Sequence, residues 1–156
     1  LIYEPSDENI VIDGDKNRIF QVISNLIGNA FKFTTTGHIS YGYRREGKYV
    51  AFHVTDTGMG IAPDKVDRVF ERFVKVNNFA QGTGLGLSIC KTIIERLGGN
   101  ISVTSEVGKG TFCSPAGIHQ QNRGGKERRG QPGNDSRDTL HRAEGQKCSP
   151  RRFPEE

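Results

Sequence analysis

One carboxylate stands where an apolar run of the sequence ends, in the segment VAFHVTDTGMGI. Alternate residues of a strand point to one face, and that face would carry Val50, Phe52, Val54 and Asp56. A carboxylate on an apolar face needs hydrogen-bond donors, and Gly58 and Gly60 would let a flat ligand approach the backbone closely. A base with an exocyclic amino group supplies such a donor, so the pattern predicts an adenine pocket. The alternative is a turn in which Asp56 caps the following helix or bonds its own backbone.

Two asparagines and a lysine form a second group, on one stripe of a helix predicted over residues 16–33. Asn25, Asn29 and Lys32 follow the spacing of a helix face. Neutral amide oxygens suit a Mg²⁺ ion that already holds phosphate oxygens and waters, and a lysine suits phosphate. The alternative is an ordinary solvated helix face, although asparagine is a mediocre helix former and two on one stripe are unfavourable.

Three alternating glycines in GTGLGLS, residues 82–88, precede another predicted helix. Helix N-termini bind phosphate through free N–H groups and the helix dipole. The spacing is GxGxG rather than the GxGxxG of dinucleotide sites, it follows a loop rather than a strand, and no GxxxxGK[ST] is present. The segment therefore predicts phosphate contacts outside those two classes of site. The alternative is a flexible hinge between loop and helix.

The elements that must position these groups follow from periodicity and turn signals. Predicted strands cover residues 1–5, 9–13, 38–45, 48–56, 100–105 and 111–113. Predicted helices cover residues 16–33, 62–73 and about 85–97, with Asp15 as an N-cap and Gly98-Gly99 as a stop. This order predicts a mixed β-sheet with helices packed on one face, a two-layer α/β (α+β) sandwich.

Composition divides the chain into a domain at residues 1–112 and a tail at residues 113–156. The tail has only 7 apolar residues of 44, with 9 Lys+Arg against 6 Asp+Glu, a net charge of +3, while the first 112 residues have 13 and 12, a net of +1. Such a segment cannot bury enough surface to offset its chain entropy, so we expect a disordered, atypical basic tail. Its mixed charges and its single Phe, Tyr or Trp residue, Phe153, disfavour a nucleic-acid partner.

The three cysteines, Cys90, Cys113 and Cys148, lack a CxxC or metal-like spacing, which favours a reducing, cytoplasmic setting. No signal peptide or transmembrane run is present. Because the chain begins at Leu1 rather than at Met, we expect it to be a fragment of a longer protein.

Four segments in order, NLIGNAFKFT, DTGMGI, VFERF and GTGLGLSI, closely resemble the N, G1, F and G2 boxes of two-component sensor histidine kinases. The resemblance covers roughly residues 1–112. It implies the Bergerat ATP-binding fold shared with gyrase-type ATPases, with ATP and Mg²⁺ as ligands.

The resemblance also implies a role for each matching residue. Asn29 would ligate Mg²⁺, Asn25 would support the metal and phosphates, and Lys32 would contact phosphate; these three form the expected catalytic group. Asp56 would bind the adenine amino group. The residues expected to line and shape the base pocket are Phe33, Gly58, Gly60 and Ile61. A nucleotide lid at residues 74–82 would be anchored by Phe70 and Phe73, with Lys75 near the phosphates. The residues expected around the triphosphate are Gly82, Thr83, Gly84, Leu85, Gly86 and Leu87.

The residue at position 25 distinguishes kinases from ATPases among the proteins that this sequence resembles. Related ATPases typically carry Glu four positions before the metal-binding Asn, where it activates water, whereas this chain has Asn25 before Asn29. An amide is no general base, so we expect phosphoryl transfer rather than hydrolysis. The alternatives are a nucleotide-binding regulatory module without kinase activity, a gyrase-type ATPase, and a nucleic-acid binder acting through the basic tail.

Two features depart from the resembled family. None of the four histidines lies in a motif like that of the phosphoacceptor, so the chain would donate phosphate to a histidine on a separate dimerisation domain and feed a response regulator. The parent protein is expected to be a homodimer, with this domain in the cytoplasm and an anchor in the inner membrane. The second departure is that SPAGIH follows TFC, and we expect proline and glycine to end the last strand there.

Overall fold

The computed structural model describes residues 1–6, 10–75 and 83–119. Its helices are α1 (Lys16–Phe33), α2 (Pro63–Val66) and α3 (Gly86–Arg96). Its strands are β1 (Ile2–Glu4), β2 (Ile39–Glu46), β3 (Tyr49–Asp56), β4 (Asn100–Glu106), β5 (Gly110–Ala116) and β6 (Ile118–His119). Among these described residues, no helix is both long enough and apolar enough to cross a membrane.

The strands form one mixed sheet in the order β1-β2-β3-β5-β4. β1 pairs with β2 in parallel, whereas β2 with β3, β3 with β5 and β5 with β4 are antiparallel. β6 also pairs with β3, at the end where Tyr49 and Val50 begin that strand. The predicted mixed sheet is therefore present, and β3 lies at its centre with Asp56 at its last position.

The core lies between the sheet and the two longer helices. On the sheet side, the pleat brings Val54 of β3, Cys113 of β5 and Ile101 of β4 to one face. On the helix side, the buried residues are Val22, Leu26 and Ala30 from α1 and Cys90, Ile93 and Ile94 from α3. Because the apolar residues of both helices meet this one face, α1 and α3 lie side by side over β3, β5 and β4.

The predicted ends of the two long helices are confirmed. Asp15 caps α1, because its Oδ1 accepts the N–H groups of Asn17 at 2.8 Å and Arg18 at 3.2 Å. α3 ends at the Gly98-Gly99 pair, where the Gly99 N–H donates to the Ile94 carbonyl at 2.9 Å. Capping fixes where α1 begins, and with it the positions of its polar residues.

The helix predicted over residues 62–73 is wrong beyond Val66. The chain continues in tight turns, with the Glu71 N–H donating to the Arg68 carbonyl at 2.9 Å. Val69 is still buried, so the apolar residue that predicted a helix is placed in the core by turns instead. Phe73 then has φ +65°, a conformation that ends any helix, and its N–H donates to the Gly84 carbonyl at 3.0 Å.

The strand predicted to stop after residue 113 instead continues to Ala116. β5 stays paired with β4 through Pro115 but leaves β3 after Cys113. After Cys113, the Ser114 hydroxyl donates to the Phe52 carbonyl of β3 at 2.8 Å. This carbonyl therefore has a donor even though Pro115 has no backbone N–H. Residues 113–119 thus belong to the sheet, and the prediction of a disordered tail over residues 120–156 lies outside the described residues.

Residue 9 of the strand predicted over residues 9–13 lies outside the described residues, and among residues 10–13 only Ile12 forms a bridge. Its neighbour Asp13 donates its N–H to the His119 carbonyl at 3.1 Å. Asp15 already begins the cap of α1 two residues later, which leaves little room for a longer strand.

Candidate functional site

A small cavity opens between α1, α3 and the end of β3. Its lining is formed by Leu26, Asn29, Ala30, Phe33, Val54, Asp56, Gly60, Ile61, Leu87, Val103, Thr111 and Cys113. Six of these twelve were predicted from the sequence: Asn29, Phe33, Asp56, Gly60, Ile61 and Leu87. The volume of about 50 Å³ suits one or two water molecules, so a purine ring would need the lining side chains to move apart.

Asp56 is the only carboxylate among the lining residues that the structure describes, and it is 8% exposed. Its Oδ1 accepts the Gly58 N–H at 2.9 Å, so one oxygen makes the local backbone bond that the alternative interpretation of this carboxylate expected. Burial raises the pKa of the Asp56 carboxyl above its usual range. Three neighbouring groups lower the pKa and oppose that rise: the Gly58 N–H, which is hydrogen-bonded to the carboxylate, the Thr34 hydroxyl and the Thr111 N–H. The carboxyl is thus both desolvated and partly satisfied.

The two glycines after Asp56 are required by close contacts. A Cβ at Gly58 would overlap the Phe33 carbonyl oxygen and lie 2.8 Å from the Thr34 hydroxyl. Gly60 has φ +69°, and a Cβ there would overlap the Glu106 carbonyl oxygen. The loop after β3 is therefore pressed between the end of α1 and the turn that follows β4.

The polar stripe of α1 is half-buried rather than fully solvated. Asn29 lines the cavity. The Asn25 side chain approaches the start of α3, where its Oδ1 lies 3.8 Å from a Cβ built on Gly86. Burial raises the pKa of the Cys90 thiol to about 11, and the Asn25 amide lowers that pKa in opposition. The Cys90 Sγ donates to the Val22 carbonyl at 3.8 Å. Lys32 is exposed, with its Nζ 5.1 Å from the centre of the Phe33 ring.

Several other predicted site residues do not line this cavity. Phe73 is 72% exposed and, with Leu85, lines a separate groove of about 490 Å³ beside α3. The Phe70 ring packs against the core, with the Lys91 Nζ 5.9 Å from its centre. The remaining described members are Gly58, Lys75, Thr83, Gly84 and Gly86, while Gly82 and most of the lid predicted at residues 74–82 lie outside the described residues.

Sequence reasoning missed the contributions of β5 and of the end of α1. Thr111 and Cys113 line the cavity because β5 pairs with β3, with Thr111 opposite Asp56. Thr34 places a buried hydroxyl beside the same carboxyl. A strand beginning at Thr111 was predicted, but only knowledge of its pairing partner could have assigned it to the site.

No group of three or more His, Cys, Asp or Glu side chains suited to a metal ion occurs in the described part of the chain. Within it, the lining residues with side-chain oxygens that could approach a metal ion are Asp56, Asn29 and Thr111. Such a set fits a Mg²⁺ ion only if most of its ligands come from phosphate oxygens and water.

Comparisons with known proteins identify relatives of this chain. The family described as "Histidine kinase-, DNA gyrase B-, and HSP90-like ATPase" matches residues 14–115. Sensor histidine kinase RcsC of Escherichia coli is 47% identical over 110 residues, 67% of this chain and 12% of that protein. Sensor protein SrrB of Staphylococcus aureus is 47% identical over 102 residues, 62% of this chain and 18% of that protein. The chain thus spans less than a fifth of the length of these curated relatives.

Solved structures share the fold. Full-length ShkA in complex with AMPPNP matches with a TM-score of 0.70 and 33% identity, over 77% of this chain and 26% of that one. The nucleotide-free catalytic domain of histidine kinase ThkA matches with a TM-score of 0.67 and 31% identity, over 76% of this chain and 77% of that one. The expected two-layer α/β fold of the Bergerat type is confirmed.

Proposed function

This chain belongs to the family of histidine kinase-, DNA gyrase B- and HSP90-like ATPases, and from that premise we propose that it is the ATP-binding catalytic domain of a sensor histidine kinase. The observation that carries the proposal is the Asp56 carboxylate, buried in a cavity whose wall also includes Asn29 of α1 and Leu87 of α3. Three of the four sequence boxes thus contribute to one cavity.

The base would bind at the Asp56 end of this cavity. A carboxylate that is 8% exposed favours a ligand that brings its own N–H donors, as the exocyclic amine of adenine does. Apolar walls from Ile61, Phe33 and Leu87 suit the faces of a purine ring. Gly58 and Gly60 hold the loop close enough for these walls to meet.

The phosphates would lie toward the start of α3. Leu85 stands at the N-cap of this helix and makes no side-chain cap, so the first N–H groups remain open to an anion. Asn25 approaches Gly86 there, and Lys32 lies two turns further along α1. We assign Asn29 to the Mg²⁺ ion and the segment from Thr83 to Leu87 to the triphosphate, with Gly82 and Lys75 beside it. The ion would neutralise charge on the phosphates.

The proposed chemistry is transfer of the γ-phosphoryl group rather than hydrolysis. The bond from the γ-phosphorus to the bridging oxygen breaks, ADP leaves, and the phosphoryl group bonds to a nitrogen of an acceptor histidine. Asn25 occupies the position from which a carboxylate would activate water, and an amide cannot remove that proton. Positioning and charge neutralisation then supply most of the catalysis.

The acceptor would be supplied by a dimerisation domain of the parent kinase. His53, the most buried histidine of the described residues, is 8% exposed and holds Glu4 with its Nε2 at 2.9 Å, which suits packing rather than phosphorylation. Phosphate would then pass to the receiver domain of a response regulator. A homodimeric parent, with this domain in the cytoplasm and an anchor in the inner membrane, completes the proposal.

The decisive experiment measures binding of a non-hydrolysable ATP analogue to the chain with and without Mg²⁺. We expect Mg²⁺-dependent binding that Asn29→Asp and Asp56→Asn both weaken. The chain is then mixed with ATP and the separately purified histidine domain of a relative such as RcsC. Labelled phosphate on that domain supports the kinase, whereas binding without transfer favours a regulatory module. Steady-state release of phosphate by the chain alone would favour the ATPase alternative.

A further inference from the structure

Ser105 of β4 joins three parts of the cavity wall through one hydroxyl. Its Oγ lies 2.8 Å from the Ile61 N–H nitrogen, 2.8 Å from the Gly110 carbonyl oxygen and 2.9 Å from the Thr111 Oγ1. The side chain is half-buried, and the β4–β5 register puts Ser105 opposite Thr111. No sequence motif considered above includes this serine.

The direction of each bond at this hydroxyl follows from donor and acceptor chemistry. A carbonyl oxygen can only accept, so the single proton of Ser105 goes to Gly110. The Ile61 N–H can only donate, so it uses one lone pair of the serine oxygen. The contact with Thr111 is then satisfied only if Thr111 donates its own proton to the second lone pair.

Thr111 consequently offers the cavity lone pairs and no proton. It lines the cavity and is the direct partner of Asp56 across the β3–β5 pair. The Asp56 carboxylate is also an acceptor when ionised, and its Oδ1 is already occupied by the Gly58 N–H. Two acceptors therefore stand together at this end, where a ligand edge with N–H donors is favoured and a carbonyl oxygen is opposed.

We propose that Ser105 is a positioning residue for base selectivity: it holds the Thr111 hydroxyl as an acceptor, so that the cavity prefers an aminopurine to an oxopurine. The inference rests on the proposed function, since it concerns the same cavity. Ser105 itself need not touch the base, because it acts through Thr111 and, by its bond to Ile61, through the loop that forms the wall.

Adenosine diphosphate and inosine diphosphate test this inference, because inosine carries an oxo group at C6 in place of the amino group and also carries a proton on N1. The diphosphate of 6-methoxypurine riboside, which has an oxygen at C6 and no proton on N1, is the control for that second difference. Their dissociation constants are measured with the full chain by calorimetry in the presence of Mg²⁺. The wild-type chain is expected to prefer the adenosine form. In Ser105→Ala, the Thr111 proton is released and can donate to the inosine oxygen, so the preference should fall by about 2- to 13-fold, the value of one hydrogen bond.

Three further variants separate selectivity from stability. Ser105→Thr keeps the hydroxyl and should restore the preference. Thr111→Val removes the opposing lone pairs without touching the Ile61 bond, and it should also lower the preference. Ser102→Ala changes another half-buried serine of β4 and should leave the preference unchanged.

The outcomes distinguish the two proposals. A serine with a merely structural role would weaken both nucleotides equally, so an unchanged ratio in Ser105→Ala and Thr111→Val overturns the inference while nucleotide binding stands. Equal affinity of the wild-type chain for both diphosphates overturns it as well. If the folded wild-type chain binds neither nucleotide, the proposed function fails, and this inference fails with it.

Discussion

The cavity at the end of β3 and the groove beside α3 differ in size and in chemistry. The cavity is about 50 Å³ and contains the buried Asp56 carboxylate, whose Oδ1 accepts the Gly58 N–H at 2.9 Å. The groove is about 490 Å³, and its lining includes Phe73, Leu85 and three arginines, Arg18, Arg72 and Arg96. The smaller space is thus the one built around a fixed polar group.

The lining residues also show that neighbouring residues of one sequence motif can lie at different sites. Leu85 and Leu87 are two residues apart in the same glycine-rich segment, yet Leu85 faces the groove and Leu87 faces the cavity. Residues at i and i+2 lie on different sides of a helix. Four experiments test the distinction between the two regions.

The largest effect is expected from adding one methyl group to the wall of the cavity. Gly60→Ala places a Cβ against the Glu106 carbonyl at a positive φ, whereas Gly47→Ala has φ +62° with nothing within 4 Å. Gly47→Ala should lower the free energy of unfolding by about 1–2 kcal/mol, and Gly60→Ala by roughly 1–3 kcal/mol more. Urea denaturation measures both. Equal losses would mean that the loop is free to shift away from β4.

Removing the charge of Asp56 comes next and should act on the ligand rather than on the fold. Asp56→Asn replaces an ionised acceptor, so affinity for an ATP analogue should fall by about 10- to 150-fold, as for a hydrogen bond to a charged group. Asp64→Asn, on the exposed first turn of α2, serves as the control. An Asp56→Asn chain that binds normally would remove the carboxylate from the site.

A smaller effect is expected from pH. As pH rises, the free energy of unfolding should fall, whereas the affinity for nucleotide should rise. Because the pKa of Asp56 is raised, the folded state keeps a proton that the unfolded state has lost. The stability from this group is therefore complete below its usual pKa and is lost as pH rises through the raised value.

Nucleotide binding needs the ionised form, so affinity should fall as pH is lowered toward that value, by less than about tenfold per pH unit. In Asp56→Asn the pH dependence that comes from this carboxyl is absent. Any pH dependence that remains comes from other groups, such as the nucleotide's own phosphate. The check is a binding titration of both chains between about pH 7 and pH 5. Parallel curves for the two chains would contradict the assignment.

The smallest effect is expected in the groove. Phe73→Ala should change nucleotide affinity by no more than about twofold, because the ring is 72% exposed and lies outside the cavity. Phe33→Ala, whose ring lines the cavity, should weaken binding in the same assay. If Phe73→Ala weakens binding as strongly, that result would support the sequence-based expectation that Phe73 anchors a nucleotide lid.

Sequence reasoning succeeded where one local rule decided the structure. The Asp15 cap, the glycine stop of α3 and the alternation that turns Asp56 toward the core each depend on a few adjacent residues. Sequence reasoning failed where residues far apart in the sequence determine the backbone conformation. The segment after Val66 has helical spacing, but it forms turns and ends at Phe73, whose N–H donates to the Gly84 carbonyl.

The same limit applies to the site. Asp56 and Asn29 stand out because their residue types conflict with their surroundings, an acid on an apolar strand and an amide within a helix. Thr111 and Ser105 are ordinary strand residues whose importance comes only from register. Ser105 could not be found without knowing that β4 pairs with β5 and that the loop after β3 rests on both.

The bond between the Phe73 N–H and the Gly84 carbonyl ties two points of the chain together at the base of the intervening segment. A side chain at Gly84 would crowd the Phe73 backbone, at 2.9 Å from its carbonyl carbon. We expect that the length of the connection between these two residues can vary at little cost in stability, because doubling the length of a loop closed at both ends costs only about 0.6 kcal/mol. Such variation would leave the pairing of the strands unchanged.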